Sequence, residues 1–518
     1  MPGSALYTSS TPLCGTPMAE RYIAVIDAGS SRVRFILLDQ NGQVVASGEM
    51  KWTYKQVYGA SPYAREFDAA ETWLGIGRLM RSVLSESLIT SNDVAAISVT
   101  GQRQAIAFLD EADDAVYVGP NLDLRAVFEG AAIDDQFGDR VYSTTGHSPS
   151  FLFAPAKAHW LREHRPHDFP RITSTVTLAD WITLKVSGEL SSETALAGEA
   201  GLLDVSNRSW CTSLLSELGM PNNDHVPLVH AGSVLGEVTE LAAATTGLRA
   251  GTLVVVAGPD TQCGLLGMGM VSPGETGIVA GWSTPVQMLT DKPMPSEEAQ
   301  TWVGSSITDD KWTVESGTGD TGNSYAWLVE TLWGSGDDAF DLADRSAATV
   351  APGAEGALAY LGTSPSSMGQ VGMRLGGLAF PVPITFSKPG KGQLARAALE
   401  AMAYTARASL ERVERISGRT ATGVAVGGGM LRTIAYARVL ADVLGRELRT
   451  APESNVSARG AFVCAATALG WYISLADGAN ASAASMTPIT PDSEMSLVYE
   501  DYYSQWLDVH DQMGNVSL

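Results

Sequence analysis

The sequence predicts an α/β fold of two large domains, each a mixed sheet flanked by helices, around a central cleft. Three observations lead there. The chain has 518 residues, more than one core ordinarily fills. It opens on three consecutive strand patterns and then alternates helical with strand patterns, the signature of a mixed sheet covered by helices. A second strand–turn–strand near residue 277 echoes the opening, as a structural duplication would, and places the boundary near residue 270.

Order is expected from Arg21. YIAVIDAG (22–29) reads as a buried strand entering a tight glycine turn, RVRFILLD (32–39) as the returning strand, and QVVASGEM (43–50), after the Asn41-Gly42 turn signal, as the third. FDAAETWLGIGRLMRSVLSES (67–87) has apolar spacing near 3.6 and predicts a helix; VAAISVTG (94–101) is a short buried strand. Helices follow around Ala154–Arg165 and Leu178–Val186, and TLVVVAGPD (252–260) is a strongly apolar strand with Asp260 at its end. In the second half, TGIVAGWSTPVQMLTD (276–291) gives two strands around a Gly-Trp-Ser turn. Residues 393–417 form an amphipathic helix stopped by Gly418. GVAVGGGM (423–430) is a strand running into three glycines, IAYARVLADVLG (434–445) a helix stopped by Gly445, and ARGAFVCAATALG (458–470) a small-residue helix. An aromatic-rich helix, SEMSLVYEDYYSQWLDVHDQM (493–513), closes the chain. The expected division is an extension over 1–20, domains over 21–270 and 271–475, and a tail with its helix over 476–518.

Composition narrows the partners. A net charge of −23 repels polyanions, which argues against nucleic acid and anionic membranes. A bound nucleotide would therefore rely on backbone amides and a metal ion rather than on a general basic field. The four cysteines, Cys14, Cys211, Cys263 and Cys464, are far apart and have no metal-ligand spacing. No apolar run nears the roughly 18 residues of a membrane span. The Ser/Thr/Pro/Gly-rich residues 1–20 lack the basic and apolar regions of a signal peptide and read as a disordered extension, with Met18 an alternative start. A cytoplasmic protein is the expectation.

Four segments carry chemistry. Asp27-Ala28-Gly29-Ser30-Ser31-Arg32 sits on a strand–turn–strand: Gly followed by hydroxyl residues offers backbone N–H groups and small donors to phosphate oxygens, and an acid at the strand end can hold Mg²⁺. Gly101-Gln102-Arg103-Gln104 and Asn121-Leu122-Asp123-Leu124-Arg125 set amides, guanidinium groups and a carboxylate at strand ends, a rim suited to a polyhydroxylated ligand. Asp260, followed by Thr261 and Gln262, ends a buried strand and can take a proton from an attacking hydroxyl. Gly427-Gly428-Gly429 permits close approach of the backbone to a flat base and its ribose, and the helix start beyond adds positive partial charge. Taken singly, these also fit a hairpin, solvated loop polars, a helix cap and a tight strand-to-helix turn.

In this order and spacing the segments resemble the FGGY carbohydrate kinases, the family of glycerol kinase, xylulokinase, ribulokinase and autoinducer-2 kinase. The resemblance implies two ribonuclease-H-like domains of the actin/hexokinase type. It implies ATP and Mg²⁺ as cofactors, Asp260 as catalytic base, and Asp27 and Asp260 as metal holders. It makes Arg103, Gln104, Asp123, Arg125, Thr261 and Gln262 substrate contacts. Gly29, Ser30, Ser31, Arg32, Gly281, Ser283, Gly428, Gly429 and Arg432 become the ATP site. Two departures stand out: Trp282 occupies a place where relatives carry a hydroxyl residue in the second phosphate loop, and Asn455 a place where many carry Glu.

The activity implied is ATP-dependent phosphorylation of a hydroxyl on a small sugar or polyol. A pentulose such as D-xylulose stands first, with autoinducer-2 (dihydroxypentanedione) or glycerol as alternatives. A non-catalytic sugar or nucleotide sensor on the same fold, and an ATPase serving protein partners, are the readings from other classes. The expected partners are the sugar and ATP, without nucleic acid or membrane; a homodimer is compatible with the sequence.

Overall fold

The computed structural model describes residues 21–57, 62–362, 375–385, 388–452 and 455–514, so the expected extension 1–20 lies outside the described residues. Two large mixed sheets organise the chain. The first contains β1 (Tyr22–Ala28), β2 (Arg32–Leu38), β3 (Val44–Lys51), β4 (Val94–Gly101), β5 (Val234–Glu237) and β6 (Leu253–Pro259), in the spatial order β5-β6-β4-β1-β2-β3. The second contains β7 (Glu275–Val279), β8 (Val286–Thr290), β9 (Trp302–Ser305), β10 (Trp312–Ser316), β11 (Gly423–Gly427), β12 (Leu448–Thr450) and β13 (Thr487–Ile489), in the order β9-β10-β8-β7-β11-β12-β13.

The duplication is visible in the pairing. β1 lies antiparallel to β2 and β2 to β3, while β1 and β6 both lie parallel to β4. In the second sheet β7 lies antiparallel to β8 and β8 to β10, while β7 and β12 both lie parallel to β11. β1, β4 and β6 are almost continuously buried, as expected of strands covered on both faces. β3 instead alternates exposed with half-buried positions, as an edge strand does.

Helices close the sheets. α1 (Ala69–Glu86) is capped by Asp68, whose side chain accepts from the Glu71 N–H, and its Trp73, Ile76, Met80 and Val83 are buried. α2 (Asp260–Gly267) continues directly from β6. α3 (Gly322–Trp333), α4 (Lys391–Ser417), α5 (Ile434–Leu444) and α7 (Ser493–Gly514) cover the second sheet, and Tyr404 of α4 packs with Tyr499, Tyr503 and Trp506 of α7. α4 and α5 end at Gly418 and Gly445, both left-handed, with φ of 63° and 60°. The terminal helix α7 thus belongs to the second core, and β13 is that sheet's edge strand.

α6 (Val456–Ala468) behaves differently. It comes from the second half of the chain but packs on the first sheet, its Ala458, Ala461, Phe462 and Ala465 meeting Ile23, Val25, Leu38 and Val255 in one core. It also lies against α2 at backbone distance: a Cβ on Gly460 would stand 1.8 Å from the Cys263 carbonyl oxygen. Only glycine allows that approach. Among the described residues, no helix is long and apolar enough to cross a membrane.

Candidate active site

The carboxyl ends of β1, β6, β7 and β11 converge on one cavity of ≈ 640 Å³, lined among others by Asp27, Gly29, Ser30, Ser31, Arg32, Asp260, Gly281, Gly428, Gly429 and Arg432. Ligands of parallel α/β sheets bind at this end of the strands, where loops leave backbone groups free to turn inward. Residues more than 400 apart in sequence meet here.

Asp27 lies one residue before the end of β1, opposite Arg34 on β2, and Arg34 Nη1 donates to Asp27 Oδ2 at 3.1 Å. Burial raises the Asp27 pKa, and Arg34 recovers only part of the shift. Asp260 begins α2, with its Oδ1 accepting the Thr261 N–H at 2.8 Å. Burial pushes its pKa up to about 7; Arg103 opposes this, and the negative charge of Asp27 adds to it. Two carboxylates on one cavity are a suitable donor set for a divalent cation. A carboxylate poised near neutrality is also suited to general-base work.

The loop after β1 is held from behind. Trp52 Nε1 and Gln102 Nε2 donate to the Gly29 carbonyl at 2.7 and 3.2 Å, Asn121 Nδ2 donates to Ser30 Oγ at 2.8 Å, and Gln102 Oε1 accepts the Asn121 N–H at 3.0 Å. Arg32 pairs with Glu49. Across the cavity, Gly428 adopts φ 113° and lies so close to β7 that a Cβ would stand 2.5 Å from the Ala280 carbonyl. Gly429 faces open space, with nothing within 4 Å of its Cβ position.

Trp282 does not simply remove a donor from the second loop. Its carbonyl accepts the Gly322 N–H at 2.8 Å and so ties the loop to the start of α3. Trp282 also lines a second cavity of ≈ 570 Å³ with Ala326, Phe340, Asp344, Met430 and Arg432. The two cavities share Ser31, Arg32, Gly281, Trp282, Gly429 and Arg432. Ser283 is exposed and absent from both linings, its carbonyl accepting the Gly281 N–H at 3.0 Å. Asn455 lines the larger cavity at the start of α6.

The predicted substrate contacts divide. Arg103 and Gln104 are buried between the domains: Arg103 makes a double hydrogen bond to Glu315 at 2.5 and 2.9 Å and reaches Glu199 at 3.4 Å, while Gln104 Nε2 donates to Glu199 Oε2 at 2.8 Å. Gln287 Nε2 joins Glu315 at 2.5 Å to Thr261 Oγ1 at 3.4 Å, so the cluster ends beside Asp260. The Gln262 amide spans the domains, donating to the Ser305 carbonyl at 2.8 Å and accepting the Ile307 N–H at 2.9 Å.

Asp123 and Arg125 come together but form no exposed rim, and that expectation is corrected. Asp123 takes Tyr117 Oη and Arg125 Nε at 2.6 Å each, and the Arg125 guanidinium lies 4.8 Å from both the Tyr117 and Trp160 ring centroids, paired with Glu66 at 2.8 Å. Neither side chain is accessible. Once buried, each charge needs a partner, and the pair supplies it. Glu199, Glu315 and Gln287 were not foreseen, because no local pattern marks a strand-borne or helix-borne polar side chain that meets its partner only through tertiary packing.

The paired sheets with a cleft between them, glycine loops at the strand ends and two acids among them suit a site for phosphoryl transfer. Family models agree: residues 22–267 match the FGGY family of carbohydrate kinases, N-terminal domain, and residues 277–469 its C-terminal domain. The chain belongs to the FGGY family of carbohydrate kinases. It is 28% identical to an autoinducer-2 kinase of Klebsiella pneumoniae over 96% of this chain and 95% of that one. In structure it is similar to a xylulose kinase from Rhodospirillum rubrum (TM-score 0.80, 22% identity, 95% and 99% of the chains). It is also similar to a gluconate kinase from Lactobacillus acidophilus (TM-score 0.83, 16% identity, 96% and 99%).

Proposed function

We propose that this carbohydrate kinase transfers the γ-phosphoryl group of ATP to a hydroxyl of a small five-carbon sugar or dihydroxyketone, with Asp260 as the base. One observation carries the reading: Asp27 and Asp260 share a single cavity with the glycine loops at Gly29, Gly281 and Gly428-Gly429. The adjoining cavity has the size for adenosine, with an apolar side in Trp282, Ala326, Phe340 and Met430 and polar groups in Asn323, Asp337, Asp341 and Asp344, leaving the larger one for the phosphates.

Asp260 takes the proton as the hydroxyl oxygen bonds to the γ-phosphorus, and the bond from that phosphorus to the β–γ bridging oxygen breaks, releasing ADP. Backbone N–H groups around Gly29–Arg32 and Gly428-Gly429, with Arg32 and Arg432, hold the phosphate oxygens. Asp27 and Asp260 would hold Mg²⁺, which when bound neutralises phosphate charge. Arg103, Gln104, Thr261 and Gln262 orient the sugar beside Asp260, the first two from a rigid, ion-paired base. Asp123 and Arg125 serve the same wall indirectly, as a buried clamp. Closure of the domains excludes water and limits wasteful hydrolysis.

The name borne by the full-length sequence relatives favours autoinducer-2 over D-xylulose, since the likeness to xylulose kinase bears on the fold alone. An ATP-coupled screen of dihydroxypentanedione, ketoses and polyols tests the proposal. ADP release should be slow without sugar and rise at least ~10-fold with the right one. No stimulation by any uncharged sugar or polyol would sink it, and ATP turnover indifferent to sugars would point to an ATPase.

A further inference from the structure

We propose that Glu199, with Glu315 and Gln287 of the second domain, determines specificity, admitting an uncharged, hydroxyl-rich substrate and rejecting its carboxylated counterpart. The inference rests on the reading that the sugar lies beside Arg103 and Asp260.

Arg103 would ordinarily be the group that recognises a carboxylate. Here both its terminal nitrogens are already engaged by Glu315, and Glu199 stands 3.4 Å from one of them. The opposing carboxylate does not lapse by protonation: burial disfavours its charge, yet Arg103 and His147 hold Glu199 down to about 2. Two carboxylates therefore face the Arg103 guanidinium and the buried His147 ring, whose Nε2 lies 3.6 Å from Glu199, and the two further acids Asp260 and Asp27 leave the acids in excess. Other cations are committed elsewhere. Lys157 is fully buried behind Gln104 and donates to its carbonyl at 2.8 Å, Arg34 pairs with Asp27, and Arg32 and Arg432 line the cavities assigned to the nucleotide. An entering anion meets a net negative wall.

Hydrogen-bond valence points the same way. The Gln287 amide has only one possible orientation, since its nitrogen must donate to Glu315, which can only accept. Its Oε1 is then left buried and without a partner. A hydroxyl satisfies that unmet acceptor; a carboxylate group in the hydroxyl's place, with acceptors alone, leaves it unmet, so the acid loses at the one position where its carboxylate replaces a donor. The selectivity is absent from a site made by the first domain only, because Glu315 and Gln287 arrive on β10 and β8.

The test is equilibrium binding to the full-length protein, by calorimetry, of D-xylulose and dihydroxypentanedione against D-xylonate, the five-carbon acid. The acid should bind at least ~100-fold more weakly than the better uncharged ligand, as like-charge juxtaposition demands. Glu315→Gln should narrow that gap by at least ~10-fold. Equal binding of the acid, no binding by either uncharged ligand, or an unaltered gap in a folded Glu315→Gln protein overturns the proposal. Should that variant not fold, the wild-type ratio and Glu199→Gln decide the matter. Selective binding without ADP release would sink the kinase reading and leave the selectivity standing.

Discussion

Asp260 is subject to opposed demands, because a base must be ionised near neutrality while burial and the nearby Asp27 favour its proton. With a pKa of about 7, the acid limb of kcat/KM should have its midpoint near that pH, and turnover should fall about tenfold per unit below it. Asp260→Asn should abolish the limb and cost at least ~10²-fold in turnover. The same shift acts on stability. The unfolded carboxyl ionises near its ordinary value, so between about pH 4 and 7 the folded state binds more protons and stability falls as pH rises. Asp260→Asn should therefore melt on the order of 1–2 °C higher than wild type at pH 8, with the difference gone at pH 4. A lower melting point at pH 8 would contradict the assigned burial. Asp27 and Asp260 were legible in the sequence because each ends an apolar run before a turn. Glu199 and Glu315 were not, since they meet Arg103 across 96 and 212 residues of chain.

At the scale of elements, period and punctuation carried most of the information. The three opening strands, the helices stopped by Gly418 and Gly445, and the strand running into Gly427 fall where their patterns place them. What those patterns lack is a partner: nothing in ARGAFVCAATALG says that the helix packs on the other domain's sheet, and nothing in Asp-Leu-Arg says that the pair is interred between Tyr117 and Trp160. Two glycines separate packing from binding. Gly460→Ala forces α6 away from α2, because its Cβ would stand 1.8 Å from the Cys263 carbonyl, and should destabilise by about 1–3 kcal/mol in denaturant unfolding. Gly429→Ala meets nothing within 4 Å and does not require a left-handed backbone. It should leave the melting temperature unchanged while raising the KM for ATP, because its methyl group projects into the phosphate cavity.

For the whole molecule, the decisive contact is the crossing of α6 onto the first sheet. A division near residue 270 follows the sheets, and independent domains would fold apart. Cutting there would strip Ala458, Phe462 and Ala465 from Ile23, Val25, Leu38 and Val255, leaving the face of β1, β2, β4 and β6 in water. Little of the loss can be made good locally: α2 packs against α6 itself through Gly267 and Gly460, and Ala195 and Ala231, which also reach this core, are small. Arg103 would also lose Glu315, leaving a buried guanidinium with only Glu199. A fragment spanning 21–270 should therefore fail to fold cooperatively, bind a hydrophobic dye and aggregate. The intact chain should unfold in a single calorimetric transition, because the core of the first domain includes a helix of the second. Adding a synthetic peptide of residues 455–470 in excess should partly restore cooperative melting to the fragment, which a merely insoluble fragment would not show. A fragment that melts cooperatively on its own would mean that α6 only rests on the first sheet, and that the two halves move as separate bodies about the cleft.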